Sequence, residues 1–170
     1  MDPFLIWLES TAFSTWMRED PSIFAFPAIL SCHTVGMGLV AGINAALALR
    51  IFGVASRVPV EEMKRFMPVM WFGFWLNAIS GVALLIAYPT KALTNPVFYL
   101  KLVLIALAMV LQRMISLRLF REGGQPDHRV DAVTPSRLKM LAAASIGCWA
   151  GAITAGRFLA YTYTRLMAIF

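Results

Sequence analysis

Among the polar side chains inside stretches of the chain that are otherwise apolar are His33, Asn77, Lys101, Gln112 and Arg157. An imidazole in such a setting is a ligand for haem iron or a metal ion, or a hydrogen-bond partner for a quinone carbonyl. Lys101 and Arg157 would neutralise haem propionates or a semiquinone, and Asn77 both donates and accepts. Met37 follows His33 by one helical turn, and a thioether beside an imidazole suits Cu(I). The candidate cofactor-binding set is therefore His33, Met37, Asn77, Lys101 and Arg157, with His33 the candidate metal ligand and a quinone or b-type haem the candidate cofactor.

Each residue also has a reading without a ligand. Lys101 and Arg157 fall near helix ends, where long basic side chains snorkel to headgroups. Asn77 and Gln112 are suited to hydrogen bonds between neighbouring helices. His33 is too deep to snorkel, and a buried carbonyl or serine would hold it. Bis-histidine haem ligation needs a second intramembrane histidine, and the other histidine, His128, lies in the charged segment REGGQPDHRVDAVTP. A haem would need a methionine, an open sixth position, or a dimer sharing His33 across a two-fold axis. For copper, Cys32 is adjacent but about 100° round the helix, and Met70, Met109 and Met140 are further soft ligands. Most of the ten methionines are expected to be packing filler.

Several chemistries are missing from the sequence. It has no HExxH, GxSxG or P-loop pattern, and no Asp or Glu within the apolar segments, which speaks against proton-coupled transport and against an enzyme. A membrane anchor, or an assembly or interaction subunit, requires none of these.

The elements that must position the polar residues are transmembrane helices. Of 170 residues, 59% are hydrophobic and only 14% charged, against roughly 45–50% and about 25% in soluble domains. The net charge of +6 lies in basic residues between apolar segments, with no basic and aromatic face suited to nucleic acid. Four segments reach the roughly 20 residues needed to cross a bilayer: about 22–49, 63–88, 96–119 and 137–161. This gives one all-α transmembrane domain, an antiparallel four-helix bundle. Asp20-Pro21, Asn95-Pro96 and Thr134-Pro135 each supply a capping side chain before an N1 proline. Pro59 with Glu61 and Glu62 opens the second span in a similar way.

Residues 3–17 are too polar and too short to span. Leu5, Leu8, Ala12 and Trp16 share one face, with Ser10 and Ser14 turned away, so an amphipathic interfacial helix is expected, which could lie as a lid across the bundle's end. The N-terminus lacks the basic region of a signal peptide, so the first span should act as an uncleaved insertion signal. Ten Lys and Arg flank the first and third connections and five lie on the opposite side, which puts both termini outside by the positive-inside rule. Two rows of small residues at i, i+4 spacing, Thr34–Gly38–Gly42–Ala46 and Ala143–Gly147–Gly151–Ala155, predict that the first and fourth spans pack together or that one row forms a homodimer seam. Gly36 and Gly38 would leave room beside His33 for a flat cofactor.

The run from Pro27 through His33 to Arg50 and Gly53, the stretch from Trp71 to Gly81, and NPVFYLK ending at Lys101 resemble an uncharacterised bacterial family of small multipass inner-membrane proteins. That family is distantly similar to the membrane domain of copper-resistance D-type proteins. The resemblance covers roughly residues 22–120 and rests on His33, Gly36, Arg50, Asn95, Pro96 and Lys101. It implies a multipass fold and an inner-membrane location and brings no activity. The copper link would imply metal ligands, of which this chain offers a single intramembrane histidine.

Overall fold

The computed structural model describes residues 3–54, 58–121 and 136–166, and among these every regular element is a helix. Along the chain they are α1 (Pro3–Glu9), α2 (Ala12–Glu19), α3 (Phe26–Ile51), α4 (Val60–Arg65), α5 (Met67–Ala87), α6 (Pro89–Leu93), α7 (Pro96–Arg121) and α8 (Ser136–Leu166). Four stretches are long and apolar enough to cross a membrane: Phe26–Ile51, Glu61–Ala87, Pro96–Phe120 and Ser136–Leu159. Their outward surfaces carry large apolar side chains such as Phe72, Trp75, Ile79 and Val103, all more than half exposed, as helices surrounded by hydrocarbon do. The chain is a multipass membrane protein. His128 and the connection around it lie outside the described residues.

Helix boundaries follow local chemistry. The first span begins at Phe26, not at Pro21. Asp20 Oδ1 accepts from Ser22 N at 2.7 Å and Ser22 Oγ accepts from Phe24 N at 3.1 Å, so residues 20–24 are spent in side-chain turns. Pro27 takes the first-turn position instead. Asn95 behaves as expected, its Oδ1 accepting from Val97 N at 3.0 Å. The second span is broken near its start into α4 and α5. Pro68 has no N–H to give the Lys64 carbonyl, and its ring crowds that carbonyl, so the ladder restarts at Phe66.

Residues 3–17 form two helices, not one. Ser10 Oγ turns back to the Trp7 carbonyl and Thr11 caps α2 by accepting from Ser14 N. This break rotates α2 relative to the expected face. Ser14 and Met17 are fully buried, with Ser14 Oγ donating to the Ala87 carbonyl at 3.3 Å, while Phe4, Trp7, Phe13 and Trp16 are exposed. α1 and α2 are tied to the end of α5 and to α6, where Thr90 N donates to Glu9 Oε1 at 3.3 Å.

The core has two layers. Leu47, Ala48 and Ile51 of α3 join Met63, Ile115, Leu138 and Ala142. Val40, Met70, Ala108, Cys148 and Trp149 form the other layer, with Met37 and Met109 packed on it. α3 lies chiefly on α5, and α7 on α8, with α3 also meeting α8. In both main pairs residue numbers rise along one helix as they fall along the other: Gly36 and Leu39 face Asn77 and Gly73, while Lys101 and Leu104 face Gly156 and Gly151.

The small-residue rows do not join α3 to α8. A Cβ on Gly38, Gly42 or Gly147 would meet nothing within 4 Å, and Thr34, Gly38 and Gly42 are exposed. The α3–α8 contact is made by the larger apolar side chains of the two core layers. The closest approach is α3 against α5, where a Cβ on Gly36 would lie 2.7 Å from Asn77 N and 2.8 Å from Gly73 O. The space at Gly36 is thus filled by the neighbouring backbone, and Gly38 faces outward, so neither leaves room for a flat cofactor.

Candidate functional site

α3 carries His33 seven residues from its start, about 10 Å along the helix at 1.5 Å per residue. The buried face on which His33 sits continues through Gly36, Val40 and Asn44. On α5 the row Gly73–Asn77–Gly81 repeats every four residues and so lies along one face. The two glycines let α3 approach until side chain meets backbone. A Cβ on Gly81 would stand 3.2 Å from His33 Cε1.

At that contact His33 and Asn77 clasp each other. Asn77 Nδ2 donates to the His33 carbonyl at 2.7 Å, and His33 Nδ1 lies 3.0 Å from the Asn77 carbonyl and 3.3 Å from Ser80 Oγ. A backbone carbonyl only accepts, so Nδ1 carries the hydrogen and donates. Nε2 is then the acceptor. It faces Lys101 Nζ of α7 at 3.4 Å, the long end of hydrogen-bond range. Lys101 reaches inward across α8 at Gly156, where a Cβ would lie 3.7 Å from both Nζ and Cε of the lysine. One cluster of polar groups thereby links α3, α5 and α7, with α8 supplying the notch for the lysine stem. In hydrocarbon, unpaired polar groups cost several kcal/mol, so this closure stabilises the half of the bundle at the α6 end.

The cluster unites three of the five residues singled out from sequence. Met37 packs on the apolar layer around Val40 and Met70. Arg157 is exposed on α8, and no hydrogen bond joins it to His33. Gly73 and Gly156 were not singled out. The i, i+4 spacing of Gly73, Asn77 and Gly81 is a signal visible in sequence; Gly156 carries none, because its role depends on which helix faces Lys101.

The residues fit a haem or metal poorly. The one lone pair His33 could offer iron or copper, on Nε2, points at Lys101 Nζ, and Nδ1 is held by Asn77. Among the described residues no three His, Cys, Asp or Glu gather around a common point. Cys32 is exposed and Met140 is 70% exposed, whereas Met70 is buried in the core. A quinone makes a smaller demand, a donor for a carbonyl oxygen. Lys101 Nζ has three donors and, among the described residues, one acceptor, His33, and no carboxylate paired with it.

Deeper in the bundle, Asn44 Oδ1, Ser145 Oγ and Trp149 Nε1 are buried without a partner. Asn44 does use its amide nitrogen, donating to the Val40 carbonyl at 2.8 Å. Gln112 is buried beside Ser116, to whose Oγ it donates at 3.3 Å. In comparisons with known proteins, no family model, no curated protein and no solved structure matches this chain.

Proposed function

We propose that the protein is an interaction subunit of the bacterial inner membrane, an anchor or assembly partner for another membrane chain or a second copy of itself. The observation that carries this reading is the outward row Thr34–Gly38–Gly42 on α3, beside which the bundle leaves open space. Small residues on a lipid-facing helix surface let another helix approach closely enough for backbone packing. The bundle itself does not use this row, and its own close approach occurs elsewhere, at Gly36 and Gly73. The His33 cluster then acts as a clamp that keeps α3 rigid while its outer face engages a partner. The excess of Lys and Arg at the α4 end supports an orientation with both termini outside, and the resemblance to the small multipass bacterial family belongs to this same proposal. The test is the mass of the assembly extracted in mild detergent. Gly38→Leu and Gly42→Leu should release the chain as a monomer without changing its helicity, while Val103→Leu should not. Unchanged assemblies in both glycine variants would refute the reading.

A second reading rests on Lys101. Its spare donors, in the outer half of the bundle, favour a quinone carbonyl or semiquinone oxygen. Lipid extracted from purified protein would contain quinone in stoichiometric amount if this reading holds, and Lys101→Met would remove it.

A further inference from the structure

A groove of about 420 Å³ opens between the start of α5 and the inner part of α7. Met67, Met70 and Met109 line it, with Trp71, Gln112 and Arg113. Arg113 lies seventeen residues beyond Pro96, about 26 Å along α7, close to the far boundary of a hydrocarbon layer roughly 30 Å thick. Its guanidinium is exposed and, among the described residues, makes no ion pair or hydrogen bond. Gln112 is 2% exposed and spends its N–H groups inside the bundle, donating to Ser116 Oγ at 3.3 Å and to Met67 Sδ at 3.9 Å. Among the described residues at this end of the bundle, Arg50, Lys64, Arg65, Arg118, Arg137 and Lys139 outnumber Glu61 and Glu62, and Glu62 is already paired with Arg65 at 3.3 Å.

We propose that this groove holds one anionic phospholipid of the leaflet at the α4 end. A ligand in this place must be apolar along most of its length, because thioethers and an indole form the walls. It must also end in an anion at headgroup depth, because Arg113 stands there without a counter-charge among the described residues. A phospholipid meets both demands: an acyl chain runs along the methionines, whose unbranched side chains adapt to it. The phosphodiester meets Arg113, whose guanidinium donates to it. The surrounding basic residues favour a net-negative headgroup over a zwitterionic one. The site is separate from the His33 cluster and from the outward face of α3, so it stands or falls independently of the proposed function.

The experiment uses the full chain, delipidated in neutral detergent and titrated with phosphatidylglycerol or phosphatidylcholine, with bound lipid counted by native mass spectrometry. One phosphatidylglycerol should be retained in preference to phosphatidylcholine. Arg113→Gln should weaken its retention about fivefold, the worth of one basic residue at a membrane surface. Arg118→Gln, exposed at the same end but outside the groove, should change it far less. Met109→Trp, which fills the groove with apolar volume, should abolish the tight site while unfolding in detergent alone remains cooperative. Equal retention of the two lipids, equal effects of Arg113→Gln and Arg118→Gln, or unaltered binding in Met109→Trp would each overturn the proposal.

Discussion

Replacing Gly36 by alanine probes the contact between α3 and α5 on which the His33 cluster depends. The added methyl would lie 2.7 Å from Asn77 N and 2.8 Å from Gly73 O, whereas ordinary contact begins near 3.4 Å. Both obstacles are α5 backbone, so neither can rotate away, and the helices must part by about 0.6–0.7 Å. Overpacking of this kind costs about 1–3 kcal/mol. Parting also stretches the Asn77–His33 bond of 2.7 Å and the His33–Asn77 bond of 3.0 Å, interhelical bonds worth about 0.6 kcal/mol each. Gly36→Ala should therefore destabilise the protein by about 2–4 kcal/mol. Gly42→Ala is the control: it lies on the same helix, its Cβ would meet nothing within 4 Å, and helix propensity favours alanine by up to about 1 kcal/mol. Equilibrium unfolding in mixed micelles, followed by circular dichroism, measures both. Equal stability of the two variants would refute the assignment of Gly36 to the helix–helix contact.

Further predictions concern the polar groups and the threading. Lys101→Met keeps the length of the side chain but leaves His33 Nε2 without a donor, and should lower stability by roughly 0.6–1.7 kcal/mol in the same unfolding assay; a gain would contradict the clamp. Ser145→Ala removes a buried hydroxyl that has no partner and should be neutral or stabilising, whereas Asn77→Leu, which strips the clasp with His33, should be clearly destabilising. Ser14→Leu should lift α2 from α5, because Ser14 is fully buried against the Ala87 carbonyl; protease cleavage near Glu19 should accelerate, and unchanged cleavage would count against the lid. Single cysteines at Thr94 and Gly123 should label from outside and inside the cell respectively, and the reverse pattern would overturn the orientation.

Much of the fold was legible because apolar length is a strong signal: the four spans came within a few residues of their ends. Their starts were less so. Asp20-Pro21 reads as a cap, but Asp20 and Ser22 use their side chains in consecutive turns, and Pro27 opens the helix. Pro68 breaks the second span although it sits in the apolar run FMPVMWF, which reads as continuous helix. At the site, depth alone made His33 a residue that needed partners, and Asn77 and Lys101 could be named from their own depths. That Met37 packs on the apolar layer and Arg157 is exposed was not legible, since which flank of a helix faces a neighbour depends on rotation that composition does not encode. The glycines were harder to assign for a related reason. The GxxxG rows on α3 and α8 are denser than Gly73–Asn77–Gly81, yet helix packing depends on the neighbour's shape as well as on small size, and the asparagine interrupts the row that is used.

The interaction reading meets its most direct test in native membranes. A photo-reactive residue at Thr34 or Gly38, on the outward row of α3, should cross-link at high yield to one protein species, either a second copy or one other membrane chain. The same probe at Val103, on a surface more than half exposed on α7, should give only lipid adducts. Indistinguishable lipid adducts at all three positions would contradict a partner on α3 and leave the bundle alone in its bilayer.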